Sequence, residues 1–112
     1  MNHYIITYKF DTSTTEGENT YKNRYDAFFN ILGKEDINYI KDDTTSTVIY
    51  KSNEILFNSN GGGIVNKIFN KKFLLNKDEI LFCKFKDKKF EIAGRIKNLS
   101  YYQDQKIIDF FK

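Results

Sequence analysis

The chain has one cysteine, one histidine and one methionine in 112 residues, and no proline or tryptophan. A lone Cys83 excludes an intramolecular disulfide and any metal site built from several thiolates, and it points to a reducing compartment. His3, the sole imidazole, has no nucleophile or second ligand beside it and stands near the chain start, where order is weakest. A catalytic role for it is not expected. Long hydrophobic runs are also missing. None approaches the roughly 18 apolar residues that cross a bilayer. Met1-Asn2-His3-Tyr4 has neither a basic nor an apolar leader region, which predicts no secretory signal. A cytoplasmic protein without a membrane segment is the expectation.

What is present is aromatic. Eleven Phe and eight Tyr supply material for a single core, and a chain of this length buries roughly two thirds of its unfolded surface. One domain is expected, not two. The net charge of +3 names no partner by itself, but its distribution is uneven. Residues 1–66 carry six basic and nine acidic side chains, whereas residues 67–97 carry ten basic and four acidic. Nearly all the basic residues are Lys; only Arg24 and Arg95 are Arg. Lys suits non-specific attraction to a phosphate backbone, while Arg is the usual bidentate reader. The abundance of Lys, Asn and Ile also fits an AT-rich genome, which raises Lys without any role in binding.

Periodicity orders the elements. Tyr4–Phe10 reads as a strand with Tyr4, Ile6, Tyr8 and Phe10 on one face and Ile5, Thr7, Lys9 and Asp11 on the other. After a polar loop over residues 12–19, Thr20–Leu32 reads as a helix. Tyr21, Tyr25, Phe28, Phe29 and Leu32 form its apolar stripe, Asn19 or Thr20 caps its start, and Gly33 ends it. Ile37–Lys41 and Thr45–Lys51 form a hairpin about Asp42-Asp43-Thr44. Asn53–Phe57 is ambiguous, residues 59–63 are a break, and Ile64–Phe73 is a helix. A strand follows from Asp78 or Glu79 to Lys86, then a turn at Asp87-Lys88-Lys89 and a short strand over Phe90–Ile96. A last helix, capped by Asn98 or Ser100, runs to Phe111. The order β-α-β-β-α-β predicts an α+β, ferredoxin-like two-layer sandwich with an extra C-terminal short strand and helix. Residues 1–97 form the domain, and residues 98–112 form a helix that packs on it or on a dimer partner. Both internal helices are expected on one face of the sheet, leaving the other open.

Several of these residues carry a family resemblance. Tyr4-Ile-Ile-Thr-Tyr8, then Asn19-Thr-Tyr-Lys-Asn-Arg-Tyr-Asp-Ala-Phe-Phe-Asn-Ile-Leu-Gly33, resembles the front half of the CRISPR-associated Cas-two-like proteins, most of all their stand-alone, SinR-like branch. Asn38-Tyr-Ile-Lys-Asp42 with Ser46-Thr-Val-Ile-Tyr-Lys51 resembles that branch's hairpin. Lys77-Asp-Glu-Ile-Leu-Phe82 and Glu91-Ile-Ala-Gly-Arg95 resemble its last two strands. The resemblance covers residues 4–96. It implies a ferredoxin-like homodimer, acting either as a metal-dependent nuclease or as a non-catalytic scaffold. In nuclease members an Asp at the end of the first strand is proposed to hold the metal. This chain has Lys9 at that position, and the nearest carboxylate is Asp11, about 7 Å further along the same face.

Each candidate chemistry stands beside a structural alternative. Asp11 with Glu16 or Glu18 can hold Mg²⁺ for hydrolysis, or it can simply start a polar loop; Lys9 opposes the ion. Asp42-Asp43 is an acidic pair or a turn. Gly61-Gly62-Gly63 presents amides to a phosphate or acts as a hinge, and it lacks the Lys-Ser/Thr of a P-loop. Cys83 reads as a buried thiol. Lys84, Lys86, Lys88, Lys89, Arg95 and Lys97, with Tyr39 or Tyr50 as stacking rings, form a nucleic-acid track or a Lys-defended sheet edge. Tyr101, Ile107, Ile108 and Phe111 cover the domain or a second copy. The expectation is a non-catalytic nucleic-acid-binding or scaffold protein acting as a homodimer, with no cofactor. The alternatives are an Mg²⁺-dependent nuclease using Asp11, or a mobile-element anti-defence protein that binds and inhibits another protein.

Overall fold

A computed structural model describes residues 1–13, 16–17, 19–41, 45–71, 74–86, 89–96 and 99–110, except the side chains of 85–86, 89–90, 102, 107–108 and 110. Alternation drives the first element. In β1 (Asn2–Lys9), Tyr4, Ile6 and Tyr8 point inward, followed by Phe10, while the residues between them face out. The helix α1 (Tyr21–Leu32) starts where Thr20 Oγ1 accepts from the Asn23 amide at 3.2 Å. It stops at Gly33, whose amide donates to the Phe29 carbonyl. Gly33 has φ +109, and a Cβ there would lie 2.5 Å from Asn38 Oδ1, so this turn demands glycine.

The remaining elements are β2 (Tyr39–Lys41), β3 (Thr47–Ser52), α2 (Ile64–Phe69), β4 (Glu79–Lys86), β5 (Lys89–Arg95), α3 (Leu99–Tyr102) and α4 (Gln105–Phe110). One five-stranded sheet has the order β2-β3-β1-β4-β5, with every neighbouring pair antiparallel. Two strands joined through a helix are therefore never neighbours. Helix α1 leads from β1 to β2 with β3 lying between them, and α2 leads from β3 to β4 with β1 between. The protein is thus α+β, with an antiparallel sheet as its frame.

The core lies between the sheet and its two longer connecting helices. Tyr4, Ile6, Tyr8, Val48, Tyr50, Ile80 and Phe82 from the sheet meet Phe28, Phe29 and Leu32 of α1 and Ile64 and Ile68 of α2. Tyr8 packs at 5.2–5.6 Å, centroid to centroid, on Phe10, Phe28 and Phe29. Such contacts add about 0.5–1.5 kcal/mol per pair beyond area burial. Exposed Ile55 and buried Leu56 precede α2, and their carbonyls accept from the first amides of that helix, Ile64 and Val65. The ambiguous 53–57 segment is thus a cap, not a strand.

Several boundaries differ from the sequence reading. The first strand begins at Asn2 and ends at Lys9. The hairpin strand begins at Tyr39, because Ile37 and Asn38 donate back to the Lys34 carbonyl in a turn and Asp36 has φ +66. Its return strand starts at Thr47, and the Asp42-Asp43-Thr44 turn lies outside the described residues. The second helix ends at Phe69, and Phe73 also lies outside them. The final strand is Lys89–Arg95, not Phe90–Ile96. In place of one last helix there are two, since Asp104 Oδ1 accepts from the Lys106 amide at 2.8 Å and starts a new helix.

Candidate binding surface

The carboxylate singled out by sequence sits beside a buried ion pair. Arg24 and Asp78 both have fully buried side chains, and the guanidinium donates to Asp78 Oδ1. Arg24 also donates to the carbonyls of Asn19 and Asp11. Asp78 accepts from the amides of Asp11 and Leu75, each at 2.8 Å. One pair thereby fastens the end of β1, the loop before α1 and the start of β4. Asp11 contributes to it through its backbone. Its carboxylate instead accepts from the Ser13 hydroxyl at 2.7 Å and the Ser13 amide at 3.2 Å. Those two bonds hold its pKa below the ordinary carboxylate value. Among the described residues no group of three His, Cys, Asp or Glu side chains converges as a metal site would require. Glu16 is exposed, and Glu18 lies outside the described residues.

The glycine run is occupied from within. Asn58 Oδ1 accepts from the amides of Asn60 and Gly62 at 3.0 and 2.8 Å. The amides at 60 and 62, which a phosphate would need, are turned onto a side chain of the same loop.

The basic hairpin is only partly a surface. Lys84 faces the helix-covered side of the sheet, opposite Tyr4, and is 9% exposed. Arg95 donates to the carbonyls of Asp78 and Leu75, and its guanidinium lies 5.9 Å from the Phe69 ring centroid. The side chains of Lys86 and Lys89, and residues Lys88 and Lys97, lie outside the description. The expected stacking rings are not available. Tyr50 is buried, and Tyr39 is half-buried against Phe29, with centroids 5.1 Å apart. This corrects the sequence reading, and the reason is register: both tyrosines share the inward phase of their strands. Of the C-terminal cluster, Tyr101 is exposed, while Ile107, Ile108 and Phe111 lie outside the described side chains. Gln103 Nε2 donates to the Ile92 carbonyl at 2.8 Å and ties α3 to β5.

The sequence reading expected the opposite face of the sheet to be open, but missed the row of side chains that crosses it. Pairing aligns Ile40 with Ile49, Ile49 with Ile5, Ile5 with Cys83, and Cys83 with Ile92. An apolar row of four isoleucines and Cys83 therefore crosses all five strands. Ile5, Ile40 and Ile49 are each about half exposed, at 50, 53 and 47%. Beside the row, Thr7 faces Thr47, with hydroxyl oxygens 3.5 Å apart. At one end His3 pairs with Lys51, and at the other Lys9 pairs with Glu79. A cavity of about 240 Å³ opens at the His3 end, lined by Ile37, Ile40, Ile49 and Lys51 among others. Partial burial pushes the Cys83 thiol up to about 11, so it stays protonated at neutral pH. The signal was present in the sequence as Ile at the outward phase of three strands, but only the register joins them.

No helix among the described residues is long and apolar enough to cross a membrane. No family model, curated protein or solved structure matches this chain.

Proposed function

We propose that this protein is a non-catalytic scaffold of the Cas-two-like type, built on a ferredoxin-like frame and acting as a homodimer. The strand adjacency supports the frame: each helix-linked pair of strands is split by a third strand, the arrangement of a split βαβ repeat. The observation that carries the function is the sheet face opposite the helices, where Ile5, Ile40 and Ile49 lie about half exposed in one row. A monomer rarely leaves an apolar patch of this kind without a use for it. The patch is aliphatic, whereas single-stranded nucleic acid is held by stacking on aromatic rings. Here the described rings of β1, β3 and β4 (Tyr4, Tyr8, Tyr50 and Phe82) are buried in the core. The aliphatic row therefore suits contact with a protein.

The charge segregation favours a second reading, contact with a nucleic-acid backbone through the basic segment 67–97. One titration separates the two. Protein is added to labelled single- and double-stranded DNA and RNA, and anisotropy is followed at low and moderate salt. The scaffold reading predicts no binding even at low salt, whereas backbone contact predicts binding that falls steeply as salt rises, because each neutralised phosphate releases counterions. Salt-sensitive binding at low salt would overturn the scaffold reading in favour of a nucleic-acid-binding protein.

A further inference from the structure

The cavity of about 240 Å³ at the His3 end of the sheet has both signs of charge on its walls. We infer that it binds a free aliphatic α-amino acid. Asp36 takes the ammonium, Lys51 and His3 take the carboxylate, and Ile37, Ile40 and Ile49 take the side chain. The inference stands apart from the proposed function and adds a small-molecule site to it.

Three observations carry it. First, the charges are opposite and do not meet. The Lys51 amide donates to the Asn38 carbonyl at 2.9 Å, and the Asp36 amide donates to the Tyr39 carbonyl at 2.8 Å. Successive carbonyls of a strand point to its two sides, so Lys51 and Asp36 flank the start of β2. Both line the cavity. Among the described residues neither side-chain head has an ion-pair or hydrogen-bond partner. His3 stands opposite Lys51 in the register and adds its ring nitrogens to the same wall. An amine and a carboxylate that face one small space are complementary to a ligand that carries both charges itself.

Second, the lining between the charges is aliphatic. Ile40 pairs with Ile49, Ile37 comes from the turn before β2, and all three are about half exposed. Ligand sites combine such a lining with a few polar groups that fix orientation. Benzene fills an apolar cavity of about 150 Å³. A single amino acid with a branched side chain suits the somewhat larger space here, and a peptide with both ends free is too long for it.

Third, the backbone is strained at the acid. Asp36 has φ +66, the only positive value among the described non-glycine residues. Strain of this kind collects at ligand sites. Here it accompanies a turn in which the Asn38 amide donates to the Lys34 carbonyl at 2.8 Å, and the turn brings Asp36 to the cavity.

Other ligands meet only part of this lining. An aliphatic acid leaves Asp36 unmatched, and an aliphatic amine leaves Lys51 unmatched. A nucleobase finds no exposed ring, since Tyr50 is buried and Tyr39 is half-buried.

The test is a titration of the full, isotopically labelled chain with L-leucine, followed by amide NMR shifts. A small open site predicts a weak complex, with a dissociation constant on the order of 0.1–1 mM. The shifts should centre on residues 36–40 and 49–51. N-acetyl-leucine, leucinamide and glycine lack the ammonium, the carboxylate and the side chain in turn, and each should bind at least about tenfold more weakly. Asn tolerates the positive φ as Asp does, so Asp36→Asn should fold. It should bind leucine about tenfold more weakly and no longer distinguish it from N-acetyl-leucine. Lys51→Met should lose the distinction between leucine and leucinamide in the same way. A merely structural role would not produce these matched losses of selectivity. The inference is overturned by the absence of saturable shifts up to about 10 mM L-leucine, or by shifts centred elsewhere. Leucine affinity unchanged in both folded variants overturns it as well. So does N-acetyl-leucine bound by wild type as tightly as leucine, which would make the site one for aliphatic acids.

Discussion

Removing the Asp78 carboxylate should come close to unfolding the protein. In Asp78→Ala the Arg24 guanidinium, with a fully buried side chain, loses its anionic partner. The amides of Asp11 and Leu75 lose their acceptors as well. Breaking a buried pair by deleting one member costs about 3–5 kcal/mol, because the remaining charge stays buried. Domains have only about 5–15 kcal/mol of stability in total. For a chain of this size the loss corresponds to a fall in Tm of roughly 15–30 °C. Urea denaturation followed by circular dichroism measures it directly. The molecule contains its own control in Lys22–Asp26, a 3.2 Å pair whose side chains are 84 and 52% exposed. Asp26→Ala should cost about 0.3–0.5 kcal/mol, as exposed helical pairs do. Exchanging both buried partners, Arg24→Met with Asp78→Leu, should recover much of the loss, since no uncompensated charge is left. If Asp78→Ala costs no more than Asp26→Ala, the pair does not fasten β1, α1 and β4 together and the reasoning fails.

Two further predictions concern stability. Gly94 has φ +146, and a Cβ there would approach the Ile80 carbonyl oxygen to 2.1 Å. Gly94→Ala should therefore destabilise by about 1–3 kcal/mol from strain alone, readable as a lower urea midpoint; an unchanged midpoint would mean that the β4–β5 pairing relaxes freely. Burial pushes the Tyr4 hydroxyl up to about 12, while it donates to the Glu54 carbonyl. The unfolded chain loses this proton near pH 10, so the Tyr4 contribution is complete below pH 10 and is lost as pH rises toward 12. The melting temperature should fall across that window, and less so in Tyr4→Phe; equal falls in both proteins would place the alkaline sensitivity elsewhere.

The inward phase of β1 was legible from alternation alone, since Tyr4, Ile6, Tyr8 and Phe10 leave no competing pattern. Helix α1 was legible as well, from a stripe closed by Thr20 and Gly33. What the stripe concealed was Arg24, which falls on the same face as Tyr21, Tyr25 and Phe28. A charge on an apolar stripe asks for a buried partner, and that partner, Asp78, lies 54 residues away. Local pattern cannot reach such a distance. The break in the last helix turned on one side-chain cap at Asp104, against the apolar spacing that suggested continuity. Lys84 and Tyr50 were read as surface groups because residue type favours that for Lys and allows it for Tyr. Strand phase put both on the covered side. The aliphatic row was the least legible feature. Ile5, Ile40 and Ile49 are unremarkable singly and become one surface only through the register that aligns three strands.

The proposed function requires two copies of the chain to associate, and the row through Ile5 is the surface that supports it. Sedimentation equilibrium of wild type beside Ile5→Asp tests it most directly. The chain mass is 13.3 kDa. Wild type should approach twice that value with increasing concentration, while Ile5→Asp, equally folded by circular dichroism, should remain at one. Two proteins with the same association curve would contradict the account.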